Sequence, residues 1–119
     1  MNDSAFFLRR MNDHVQYLGK IKATLEDKGV FQGTDHHSCK LGLWLESDGP
    51  EQSSAISAEA HDIFNQLLTP HERFHQASKQ ALDYKATGDI AGMEYAMTEM
   101  FKLSNALVTI LIELDSMNR

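Results

Sequence analysis

Apolar residues recur along this chain with the spacing of helices. Phe7, Met11, His14, Leu18, Ile21 and Leu25 follow one another at three- and four-residue intervals, which predicts a helix over residues 4–27 with Gly29 as its terminator. His14 lies inside this apolar seam rather than on its polar side. A second seam runs through Ile90, Met93, Met97, Met100, Ser104, Leu107, Leu111 and Leu114. Gly88 precedes it as a breaker and Asp89 as an N-cap, so it predicts the longest helix, over residues 89–116. At a rise of about 1.5 Å per residue that helix would reach about 42 Å.

Between these two lie less regular helical stretches, residues 55–68 and 70–87. They meet where Thr69, Pro70 and Glu72 have the form of an N-cap, an N1 proline and an N3 glutamate. Residues 33–45 are expected to hold one brief helix, and residues 46–54, with Asp48-Gly49-Pro50, read as an exposed loop. No alternating strand pattern of useful length and no internal repeat is present. The expected class is all-α: an antiparallel four-helix bundle with an additional short helix carrying Cys39.

Composition narrows the function classes. A chain of 119 residues with 42% hydrophobic content suits one domain spanning residues 1–119 with a modest core. A net charge of -6 without any Lys/Arg cluster removes the electrostatic basis for binding nucleic acid or anionic lipid. The first ten residues lack the order of a signal peptide, and the apolar run 106–112, broken by Thr109, is far too short for a bilayer. A cytoplasmic location is therefore expected. Cys39 is the single cysteine, so no internal disulfide forms, and the residue is a buried small hydrophobe, a reactive thiol or a metal ligand.

Four residues have the chemistry of a metal site. His71 and His75, one helical turn apart, project from the same face. A pair of this kind also occurs packed in cores or facing water. A lone imidazole at His14, in an apolar seam, must satisfy two ring nitrogens on burial. Cys39 stands at the expected first turn of the short helix, where the helix dipole favours a thiolate. Gly42 would admit a neighbouring helix, and Trp44 would cover the site. His36 and His37, adjacent in a turn-like stretch, are reserve ligands expected to be exposed. His61 is expected in the core or behind a ligand.

The order His14, then Cys39-x-Leu41-Gly42-x-Trp44, then His71-x3-His75, resembles the chemoreceptor zinc-binding (CZB) family over about residues 10–85. The Cys-x-Leu-Gly-x-Trp element is the specific part. The resemblance implies a helical bundle, commonly homodimeric, attached to chemoreceptors or diguanylate cyclases. It implies one Zn2+ held by His14, Cys39, His71 and His75. Two departures stand out: the aromatic expected two residues after the first histidine is Tyr17 rather than position 16, and the stretch from Trp44 to His71 is long.

The resulting reading is a zinc-responsive regulatory module, not an enzyme, sensing for chemotaxis or cyclic-di-GMP signalling and open to oxidants at Cys39. Its expected partners are a second copy and a signalling protein or fused output domain. A zinc-stapled dimerisation bundle without sensing is the alternative. A di-iron bundle would need a second Glu-x-x-His pair beside Glu72 and His75, and none is present.

Overall fold

The computed structural model describes residues 5–118, and all regular structure among them is helical. Six helices follow in order: α1 (Phe6–Leu25), α2 (Lys40–Leu45), α3 (Asp48–Ile56), α4 (Ala58–Asn65), α5 (Leu68–Thr87) and α6 (Ile90–Met117). Ser4, the expected start of the first helix, lies outside the described residues.

The α5–α6 hairpin is the most extensive helix pair, and α1 packs along α6 beside it. Gly88 makes the reversal with a left-handed φ of 76°, at low cost because it carries no Cβ. Asp89 then caps α6, its carboxylate accepting from Gly92 N–H at 2.9 Å. The expected seam on α6 is buried from Met100 through Ser104, Leu107 and Leu111 to Leu114. Its first turn differs: Ile90 is exposed and Ala96 is the first buried residue.

Three boundaries differ from the sequence reading. The first helix ends at Leu25, and Asp27, not Gly29, takes the positive φ of 60°. Lys28 N–H reaches Ala23 O at 2.7 Å and Asp27 N–H reaches Thr24 O at 3.2 Å. That is a Schellman closure with aspartate in the glycine position.

The expected loop 46–54 is largely α3. Asp48 and Glu51 stand in its first turn, where acidic groups are favoured, and Pro50 lies where a missing N–H costs no helical bond. A Cβ at Gly49 would stand 2.7 Å from the Phe64 ring and 2.8 Å from Trp44 O, so α3 closes tightly on α2 and α4.

The break expected at Thr69-Pro70 falls instead around Gln66 and Leu67, which leaves Thr69 and Pro70 inside the first turn of α5. His71 N–H already bonds Leu67 O at 3.0 Å. Continuous helix thus runs through His71 and His75 and holds both on one rigid face.

The core joins Phe7 and Ile21 of α1, Leu41 and Trp44 of α2, Phe64 of α4, Phe74 of α5 and the α6 seam. Trp44 packs edge-on against Phe7 and Phe64 at 5.7 and 5.4 Å between ring centroids. Its indole N–H donates to Gln52 Oε1 at 2.6 Å. This ring anchors α2, and with it Cys39, to three other helices. No described helix is long and apolar enough to cross a membrane.

Candidate metal centre

Cys39, His71 and His75 converge. Their ligand atoms lie within 4.8 Å of one another, and both imidazoles are buried while the thiol is half-buried. Cys39 is the N-cap of α2: its Sγ accepts the Gly42 amide at 3.2 Å and lies 3.3 Å from His71 Nε2. Two donors bound to one tetrahedral zinc at about 2.3 and 2.05 Å stand about 3.6 Å apart, so this pair needs almost no movement to share an ion.

The tautomer of His75 follows from its partners. The Thr34 carbonyl lies 3.0 Å from Nδ1. A carbonyl only accepts, so Nδ1 carries the proton and Nε2 offers its lone pair. Tyr17 completes this support, its hydroxyl 3.3 Å from His75 Nδ1, accepting from Thr34 N–H at 2.9 Å and donating to Thr34 O at 3.2 Å. Burial raises the Tyr17 pKa, which keeps the hydroxyl protonated for that role. Tyr17 escaped the sequence reading except as a displaced aromatic, because its partners are reached through space and not by motif spacing.

His14 is buried, at 3% exposure, with its ring 4.6 Å from that of Phe74. Its Nε2 lies 2.9 Å from Ser104 Oγ on α6. It stands outside the three-residue grouping of ligand atoms but lines a cavity of ≈ 250 Å³ shared with Tyr17, Thr34, Cys39 and His75.

The segment before Cys39 is shaped by Asp35, whose carboxylate accepts the His37 and Ser38 amides and the Ser38 hydroxyl. The Ser38 hydroxyl, ahead of the two amides, lowers the Asp35 pKa. A Cβ at Gly42 would meet the His36 carbonyl oxygen at 1.8 Å. Glycine is thus required by that strand of backbone, not by a neighbouring helix as its position in the motif suggested.

Of the two reserve histidines, both expected to be exposed, His37 is exposed but His36 is half-buried beside the cluster. His37 contacts Glu46. The His36 ring stands 6.1 and 6.4 Å from those of His71 and His75. His61, expected in the core or behind a ligand, is half-buried and pairs with Ser54 Oγ at 2.9 Å, tying α4 to α3.

Electrostatics favour a soft cation over protons. Burial lowers His14 to about 4 and His71 to about 3, the neighbouring His75 adding to each. Burial also lowers His75, against the opposing Thr34 carbonyl. All three imidazoles are neutral at pH 7 and present lone pairs. Cys39 departs from the helix-dipole expectation: burial pushes its thiol up, and the Gly42 amide opposes this only in part. The metal-free site therefore holds a thiol, and its proton leaves when a cation takes the sulfur.

A family model of the chemoreceptor zinc-binding domain matches residues 14–82, more than half of the chain. The chain belongs to the chemoreceptor zinc-binding family. No individual curated protein and no solved structure matches it. Zinc is the metal of this domain, and one thiol with neutral imidazoles is the donor chemistry that zinc takes. No carboxylate belongs to the cluster among the described residues, and Glu72, next to His71 on α5, is exposed. One thiol with imidazoles is not the carboxylate-rich donor set of a di-iron centre.

Proposed function

We propose that residues 1–119 form one regulatory zinc-binding domain holding a single zinc through His14, Cys39, His71 and His75. The observation that carries this reading is the convergence of Cys39, His71 and His75 in a chain of this family. His14 supplies the fourth donor through Nδ1, since Nε2 is engaged by Ser104. Bound zinc then acts as a tetrahedral tie with no position open for a catalytic water.

The tie joins α1, the N-cap of α2 and the N-terminal half of α5, and this supports a sensing role. His14 is the lone ligand from α1, so loss of metal frees α1 while the α5–α6 hairpin keeps its own packing. Metal biases the two arrangements only by its difference in affinity for them. The output is cytoplasmic chemotaxis or cyclic-di-GMP signalling, through a partner protein or a fused domain. Oxidants act on the same switch by removing the Cys39 sulfur donor. Zinc removal should raise amide exchange over α1 and residues 33–45 and leave the middle of α6 protected. Identical exchange in both segments with and without zinc would leave zinc as a staple and remove the sensing role.

The functional unit is a homodimer. Phe101, Val108 and Ile112 flank the core seam of α6 on one side and Leu103 and Ile110 on the other, all half-buried or exposed. Ile112 is 51% exposed and Val15 on α1 47%. A helix apolar beyond its core stripe has a second surface to bury. Sedimentation at micromolar concentration should show a dimer; a lone monomer species would contradict this.

A further inference from the structure

A buried hydrogen bond joins the metal centre to α6. His14 Nε2 lies 2.9 Å from Ser104 Oγ, and the two side chains are 3% and 5% exposed. Ser104 lies outside the stretch that matches the family and sits in the α6 core seam between Met100 and Leu107. From the sequence alone it is only a small seam residue.

A neutral imidazole has one N–H and one lone pair, and a serine hydroxyl can meet either. The contact alone thus permits both tautomers of His14. A cation at Nδ1 removes the choice, because the proton must then sit on Nε2, and the buried N–H needs an acceptor. Ser104 Oγ, 2.9 Å away, is that acceptor. Phe74, edge-on to the His14 ring at 4.6 Å, restrains the ring from another side.

We infer that Ser104 is the positioning residue of the zinc ligand His14, its hydroxyl oxygen accepting Nε2–H and aiming Nδ1 at the Cys39–His71–His75 cluster. This rests on His14 being the fourth ligand. It also gives the metal a direct line into α6. Coupling of this kind is reciprocal: a change at Ser104 alters zinc affinity, and zinc alters the environment of Ser104.

The test uses the whole chain, zinc alone as the probe and competition with a chelating dye. Ser104→Ala should weaken zinc binding roughly 10–100-fold, the range for an outer partner of a ligating histidine. In the His14→Ala background the same change should add nothing. Long-range 1H–15N spectra of the zinc-loaded native chain should show His14 protonated on Nε2, with a slowly exchanging proton. That proton should exchange rapidly in Ser104→Ala at equal helix content.

If His14→Ala weakens binding and Ser104→Ala does not, the positioning role is wrong and the ligand set stands. If Ser104→Ala costs the same with and without His14, it acts through general destabilisation and the inference fails. If His14→Ala leaves affinity unchanged, or His14 carries its proton on Nδ1, the fourth-ligand reading fails and takes this inference with it.

Discussion

Cys39→Ser, His71→Ala and His75→Ala should each lower zinc affinity on the order of a hundredfold or more, beyond the range expected for an outer partner. The three donors already stand within 4.8 Å of one another, so each removal takes away a preorganised bond. His36→Ala and His37→Ala should leave affinity within a few-fold, because neither is among the four proposed ligands. Dye competition on the five variants decides the matter: equal losses from His36→Ala and His75→Ala would overturn the ligand set. Cys39→Ser should also abolish zinc release by peroxide or hypochlorous acid, since it removes the single thiol.

The metal-free protein should lose stability steeply in mild acid. His14 and His71 titrate at the ordinary histidine value of 6.5 when unfolded but are held at about 4 and about 3 in the fold, chiefly because both are buried. Between those values the unfolded chain binds more protons, so stability is full above pH 6.5 and declines as pH falls toward the folded values. At about 1.4 kcal/mol per pKa unit, the two imidazoles together account for several kcal/mol. Urea midpoints should therefore fall between pH 6.5 and 4, and His71→Gln should flatten that slope. A midpoint independent of pH across this window would mean that the imidazoles are solvated and that the buried site is wrong.

Much of this was legible in the sequence where a feature is periodic. The seams of α1 and α6 repeat every three or four residues, and His14 could be placed in the core because it interrupts one of them without shifting its phase. Gly88 and Asp89 marked their turn because each does one local job. Asp48-Gly49-Pro50 misled: the same residues suit a turn or the opening of a helix, and tertiary closure onto Phe64 and Trp44 O decides. Thr69-Pro70 misled similarly, since proline is equally at home anywhere in a first helical turn.

At the site, the motif pointed to candidate donors but not to their supports. Tyr17, Thr34 and Ser104 act across 17 to 90 residues of sequence, and no local pattern encodes such pairings. The Cys39 proton was misjudged because the dipole of a short helix is a local feature, whereas burial, which outweighs it, belongs to the assembled fold.

The central claim is that one zinc is held by one sulfur and three imidazole nitrogens of a single chain. X-ray absorption at the zinc edge, on protein loaded with one equivalent, measures this directly. The account predicts one sulfur at about 2.3 Å and three nitrogens at about 2.0–2.1 Å, with the sulfur shell lost in Cys39→Ser. A shell of oxygen and nitrogen alone in the native protein, unchanged by Cys39→Ser, would contradict it.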